Sequence, residues 1–332
     1  NKKSYLILSS SFIIFFSSLL LFINAYLSLN ILNTGTLNIF ILSFISISFV
    51  LSLYNQTDTF ILGLIDPNKS EVGSYSVGIK GIDIVIGVIS NLGTVFIPQA
   101  AYYYEKEDKI YFKNLMKYSI NICLFIVIPA AILMTLLSRP ICALISGNTS
   151  MDISSNNGGY NDSYIVLMSL SAMMITYSIS EIIYGQILLP IKKEKYYLIS
   201  ILVGVVVNAI FSIVLGKYVF KNHPAIGVAI GTVATDVCIF IYLFIKTRKW
   251  IKDAIFNKNT LKLLIANAVI ALITIGIHLL MPKVVTNVSK SLFYLLELII
   301  VLIIDAIIYV LICYLLKEDL ISSFKRKKAS SN

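Results

Sequence analysis

Apolar runs of about 20 residues recur along this chain, each long enough to cross a hydrocarbon core of roughly 30 Å as a helix. That recurrence excludes most folds. Strands of a membrane barrel are short and alternate apolar with polar residues, so a barrel does not fit. A soluble domain would be about one quarter charged, whereas this chain is 13% charged and 58% hydrophobic. The expected class is all-α: a polytopic helical membrane protein of about nine transmembrane helices. The spans are read near 5–29, 38–65, 76–101, 117–138, 163–190, 196–218, 224–246, 261–281 and 292–315.

Lys and Arg give these spans a direction, because they concentrate in the short cytoplasmic loops. One set of connections carries Lys106, Lys109, Lys113 and Lys117, then Lys192, Lys193 and Lys195. It continues through Lys246, Arg248, Lys249, Lys252, Lys258 and Lys262 to Lys317 and the tail KRKK. The alternate connections carry only Lys69, Arg139, Lys217, Lys221, Lys283 and Lys290. The rich side is read as cytoplasmic, with the C-terminus inside. Lys2 and Lys3 break the alternation, so the first span is left unoriented. The net charge of +10 is thereby assigned to orientation in the membrane, and no nucleic acid partner is expected. Cys123, Cys142, Cys238 and Cys313 have neither metal nor redox spacing and read as small core residues. The chain opens on Asn without a signal-peptide pattern and is expected to be a C-terminal piece of a longer protein.

One apolar stretch, YSVGIKGIDIVIGVISNLGTVFIP (Tyr75–Pro98), breaks the apolar rule. Lys80, Asp83, Gly87, Ser90 or Asn91, Thr94 and Pro98 recur every three or four residues and so share one helix face. A charge near mid-membrane costs about 2.5–3.5 kcal/mol on insertion scales, so such a face is expected to point at a packed interior or a watery cavity. Other spans each offer a polar face: Asn55 and Asp58; Tyr177, Glu181 and Tyr184, with Gln186 beyond; Asn208; Thr232 and Asp236. A shared cavity for a polar cargo satisfies them together. The plainer readings are that Lys80 snorkels or pairs with Asp83 or Asp58, that Asp58 is interfacial, and that Ser90 and Thr94 only pack. Glu297 and Asp305 share a face of the last span, where a structural partner is as good a reading as a role. His278 reads as interfacial, and His223 has no metal partner nearby in the sequence.

The stretch SLYNQTDTFILGLIDPNKSEVGSYSVGIKGIDIVIGVISNLGTVFIPQAAYYYEKED resembles two helices of the bacterial polysaccharide repeat-unit flippases. These flippases belong to the multidrug/oligosaccharidyl-lipid/polysaccharide exporter superfamily. Tyr54, Asp58, Leu62, Gly63, Glu71, Val72, Gly73, Tyr75, Lys80, Thr94 and Pro98 carry the likeness. Gln99 departs from it, standing where family members often have Arg. YGQILLPIKKEKYYLISILVGVVVNAIFSIVLG and AIGVAIGTVATD are similar to later segments of the same family.

The resemblance implies a remnant helix over 1–37, a six-helix C-terminal lobe over 38–250, and two additional helices with a basic tail over 251–332. It implies a non-enzymatic transporter of the bacterial cytoplasmic membrane. Such a flippase moves an undecaprenyl-diphosphate-linked oligosaccharide across the bilayer by alternating access, for capsule or O-antigen-like export. A lipid II flippase or a cation-coupled multidrug antiporter of the same superfamily is the alternative. A membrane glycosyltransferase or polysaccharide polymerase is the rival from another class. The implied partners are the lipid-linked oligosaccharide, membrane lipids and, among proteins, a polymerase and glycosyltransferases. Lys80 is expected to meet an anionic group. Asp58, Asp83, Glu181 and Asp236 are expected to meet sugar hydroxyls or to couple H⁺ or Na⁺, with Asn55, Asn91, Thr94, Gln186 and Asn208 also lining the cavity. No cofactor is called for.

Overall fold

The computed structural model of the chain describes residues 52, 54–66, 70–147, 160–284 and 289–320. Residues 54–65 are helical (α1). They lead into α2 (Ser70–Thr94) and α3 (Ile97–Glu105), then α4 (Lys109–Leu136) and α5 (Ser138–Ser146). α6 (Ser163–Ser171) and α7 (Met173–Ile182) follow, and a π-helical turn, Ile183–Leu188, ends α7. α8 (Lys195–Ile213) ends in a second π-helical turn, Val214–Val219. α9 (Pro224–Ile255), α10 (Lys258–Val284) and α11 (Lys290–Leu315) complete the order. Among the described residues six helices, counting α2 and α3 together, are long and apolar enough to cross a membrane. The bent pair Ser163–Ser171 and Met173–Leu188 makes a seventh if it forms one span. The first expected span and the start of the second lie outside the described residues.

Local chemistry sets where these helices begin. The Asp66 carboxylate accepts the Glu71 N–H at 2.9 Å and so satisfies one of the unpaired donors at the start of α2. Asp108 does the same for α4 through the Tyr111 N–H, and Ser289 for α11 through the Leu292 N–H. α9 begins with Pro224, whose missing N–H is no loss in the first turn. Its Ala225 N–H is taken by the Glu71 carboxylate from α2 at 3.0 Å. Asp162, at the start of α6, and His223, just before α9, join at 2.8 Å. His223, which looks solitary in the sequence, is therefore part of a clasp that holds α2, α6 and α9 at one end.

Two spans expected as continuous are broken. The third is interrupted at Val95–Phe96, where Pro98 starts α3 afresh. The fifth bends by 47° between Ser171 and Met173. Pro129 sits within α4 without ending it.

The core lies where α9 runs through the bundle, packed on α8, α4, α6 and α7. α10 packs on α4, and α11 on α10 and α5. The polar positions of α10 pair with those of α11 and of the turn just after it. Thr274 donates to Asp305 at 2.6 Å, His278 meets Glu297, and Asn259 donates to Glu318 at 2.8 Å. His278 is thus the partner of a fully buried acid rather than simply an interfacial residue. Tyr309 of α11 donates to the Phe125 carbonyl of α4 at 2.8 Å, tying these two helices to the rest.

Candidate functional site

The sequence-derived candidates divide between two environments. On α2 the residues Lys80, Asp83, Asn91 and Thr94 all lie exposed along one face, with Ile84 and Val88 interleaved. The opposite face, including Tyr75, Gly78, Gly81, Ile82 and Ile89, is buried against the bundle. The helix turns this way because Gly78 and Gly81 admit α6: a Cβ at Gly78 would stand 2.7 Å from the Val166 side chain. Close approach there leaves the polar stripe on the uncovered side. Among the described residues no acid lies within ion-pairing distance of Lys80, so the plainer reading in which it pairs with Asp83 or Asp58 is not met. Asn55 of α1 is also exposed.

The second environment is closed. Asp58, for which an interfacial place is the plainer reading and a cavity place the other, is 5% exposed and is buried among four helices. Its Oδ2 accepts the Tyr75 hydroxyl of α2 at 2.5 Å and the Thr232 hydroxyl of α9 at 2.9 Å. The Asn208 amide of α8 reaches Thr232 Oγ1 at 3.5 Å, and Ser212 donates to Asn208 Oδ1 at 3.0 Å. One turn away Tyr54 of α1 donates to Asp236 Oδ1 of α9 at 2.6 Å. Three pairs spaced four apart, Tyr54 with Asp58, Asn208 with Ser212 and Thr232 with Asp236, therefore stack side by side on α1, α8 and α9. Asp58 Oδ1 and Asp236 Oδ2 are buried without a hydrogen-bond partner among the described residues. Among those residues no three His, Cys, Asp or Glu side chains gather as a metal-holding group.

Glu181 and Gln186 have hydrogen-bond partners of their own. Glu181 accepts the Tyr197 hydroxyl of α8 at 2.6 Å, and the Tyr184 and Tyr197 rings stack at 4.1 Å. Gln186, inside the first π-helical turn, donates to the Gly93 carbonyl of α2 at 3.0 Å and so bolts that turn to the stripe-bearing helix. Tyr197→Phe is expected to lower stability by about 1 kcal/mol by removing the donor to a half-buried carboxylate. Tyr184→Phe, which keeps the stacked ring, should change it by less than about 0.5 kcal/mol. Unfolding of the purified protein in mixed detergent and SDS would measure both.

The family profile described as "Lipid II flippase MurJ" matches residues 74–299, more than half of the chain. The chain belongs to the MurJ family. The curated lipid II flippase MurJ of Bacillus subtilis is 21% identical over 237 residues, which cover 69% of this chain and 41% of that protein. A solved structure titled lipid II flippase MurJ, inward closed conformation, has the same fold. It superposes with a TM-score of 0.63 at 18% identity over 83% of this chain and 53% of that one. The chain thus spans about half the length of the relatives it matches.

Membership of the MurJ family corrects the finer reading taken from the motifs, which pointed to the repeat-unit flippases; the match falls on the alternative within the same superfamily. The MurJ match takes in Lys80, Asp83, Asn91, Thr94, Glu181, Gln186, Asn208 and Asp236, while Asn55 and Asp58 precede it. Tyr54, Tyr75, Ser212 and Tyr197 were not among the candidates, yet each supplies the hydroxyl that holds a candidate polar group. Tyr54 and Ser212 are signalled by four-residue spacing from Asp58 and Asn208, and Tyr54 and Tyr75 also stand among the residues that carry the superfamily likeness; Tyr197 carries no signal beyond being a Tyr in an apolar run.

Proposed function

We propose that this chain is one lobe of a flippase that carries a lipid-linked peptidoglycan precursor of the lipid II type across the cytoplasmic membrane. The observation that carries this reading is the uncovered stripe of Lys80, Asp83, Asn91 and Thr94 on a helix otherwise suited to lipid. Ionisable and amide groups on a spanning helix belong beside protein or water rather than acyl chains. A second lobe facing α2 would enclose them in a wet cavity. A sugar and a diphosphate cannot cross hydrocarbon unaided, since each polar group would lose its hydrogen bonds to water. In such a cavity they exchange water for Lys80 as a point charge and for Asp83, Asn91 and Thr94 as hydrogen-bonding groups. The prenyl chain stays in lipid. Nothing in this scheme needs a bond to be made or broken, so the activity is transport and not catalysis.

The buried Asp58–Asp236 network serves as the element through which H⁺ or Na⁺ would bias the lobe, because a charge bound there is felt by α1, α2, α8 and α9 together. Family membership favours the peptidoglycan precursor over a capsule repeat unit.

The test uses a full-length protein containing this lobe. Lys80→Ala is expected to slow translocation of lipid II in proteoliposomes by about tenfold, the effect of one charge-assisted contact. Depletion of the protein should halt peptidoglycan synthesis and spare surface polysaccharide. Unchanged translocation by the alanine variant removes Lys80 from the mechanism, and capsule loss with intact peptidoglycan restores the repeat-unit reading.

A further inference from the structure

An apolar cleft of about 100 Å³ opens along the seam of α8 and α9, away from the polar stripe of α2. Ile199, Val203 and Val207 form one wall and Cys238, Ile239 and Tyr242 the other. Its depth is set by Gly204, where a Cβ would lie 2.7 Å from Ile239 Cδ1, so the two helices touch at their closest point behind a shallow trough. Val203 and Cys238 are both exposed at its mouth.

The lower end of this trough is cationic. Lys246 Nζ stands 5.5 Å from the centre of the Tyr242 ring and 5.4 Å from that of Tyr196. Lys195 Nζ stands 5.8 Å from the same Tyr196 ring. Two ammonium groups, one from each helix, therefore both stand by the Tyr196 ring, and Lys246 also stands by Tyr242, where the apolar walls end. Lys246 also borders an open hollow with Arg248, Lys249 and Lys252. The acid in that hollow, Asp253, is engaged by Lys113 at 3.6 Å, and Glu194 precedes Lys195 in the chain. The charge balance at the head of the trough stays positive. From Lys246 to Cys238 is eight residues, roughly 12 Å along the helix, most of one leaflet's hydrocarbon depth of about 15 Å.

A basic loop or an apolar helix seam is ordinary in a membrane protein. Here they are one continuous surface, joined at Tyr242, with the length and polarity order of a lipid. We propose that the α8–α9 trough is a binding site for a single anionic phospholipid of the leaflet at the basic end of the bundle. The phosphate lies between Lys195 and Lys246, the glycerol region lies against Tyr196 and Tyr242, and one acyl chain lies over Val203 and Cys238. Charge complementarity selects the head group, since a zwitterionic lipid offers the lysines no net charge. This assignment does not depend on the flipping reading, because the trough does not include the stripe of α2.

The experiment is photolabelling of the reconstituted chain with phosphatidylglycerol bearing a diazirine on one acyl chain, followed by peptide mapping. Adducts are expected on residues 199–207 and 235–242, about tenfold above those from phosphatidylcholine with the same diazirine chain. Lys195→Ala with Lys246→Ala should erase that preference while the protein stays monodisperse, and Lys246→Arg should keep it. Equal labelling by the two lipids overturns the proposal, as does a preference that survives loss of both lysines. Labelling abolished by undecaprenyl diphosphate, but not by excess unlabelled phosphatidylglycerol, also overturns it and gives the trough to a lipid-linked cargo.

Discussion

Replacing Gly227 with valine is expected to prevent the bundle from closing. A Cβ at this position would stand 2.7 Å from the Leu215 carbonyl carbon and oxygen and 2.8 Å from the Gly216 Cα. These are backbone atoms of the π-helical turn Val214–Val219, and backbone cannot swing aside as a side-chain tip does. Relief requires α9 to move off α8, at the level where Ala225 is held by Glu71 and Thr232 by Asp58. Overpacking of a well-packed core costs about 1–3 kcal/mol and occasionally more; with two backbone segments in contact Gly227→Ala should sit at the top of that range and Gly227→Val beyond it. Gly231, where a Cβ would meet Ser212 N at 3.1 Å and Phe211 at 3.2 Å, should give a smaller loss on alanine substitution. Gly87 and Gly276 have nothing within 4 Å, and alanine there should be neutral or slightly stabilising. Detergent-purified variants compared by SDS unfolding and by the monodisperse fraction should rank in that order. A Gly227→Val protein as stable as the parent would mean that α8 and α9 do not touch as described.

The number and approximate bounds of the described spans were legible because each apolar run is continuous and flanked by charges. The third and fifth spans read as continuous nonetheless. The break at Val95–Phe96 carries only Pro98 as a signal, and a Pro there is equally compatible with a helix end. The bend at Ala172 has neither Pro nor Gly, so nothing local marks it; it depends on how α6 and α7 each pack. The stripe on α2 was legible as a face, since Lys80, Asp83 and Asn91 obey helical spacing. Which side of the bundle that face takes was not, because it is decided by Gly78 and Gly81 meeting Val166 and Leu167 some 85 residues later in the chain. The division of the candidates into an open stripe and a closed network has the same origin. Periodicity says that Asp58 is on a polar face, but only the partners Tyr75 and Thr232 say that this face is inside. Hydropathy also treats Lys195 and Lys246 as orientation signals and nothing more, since their convergence on Tyr196 requires the antiparallel register of α8 and α9.

That closed network makes Asp58 the residue whose loss should be felt most widely among the ionisable groups. Asp58→Ala strands the Tyr75 hydroxyl, buried beside it, and leaves Thr232 with the Val228 carbonyl at 3.0 Å and the Asn208 amide at 3.5 Å. An unsatisfied buried donor costs about 1–3 kcal/mol, so a loss of about 3 kcal/mol is expected once the vacated volume is included. Asp58→Asn keeps one carbonyl oxygen to accept from Tyr75 and Thr232, and should recover more than half of that stability. The two substitutions separate structure from coupling. If the carboxylate serves only to hold α1, α2 and α9 together, the asparagine variant of the full-length protein should translocate lipid II nearly as well as the parent. If its charge is what an ion or proton reads, the same variant should fold and yet transport at least about tenfold more slowly, with a flattened dependence on the ion gradient. Tyr54→Phe combined with each change provides the control. Asp236 shares the network through Tyr54, so stability losses in the pair should depart from additivity by roughly 0.5 kcal/mol or more. Strict additivity would instead mean that Asp58 and Asp236 act as two independent buried acids, and a single coupling element would have to be abandoned.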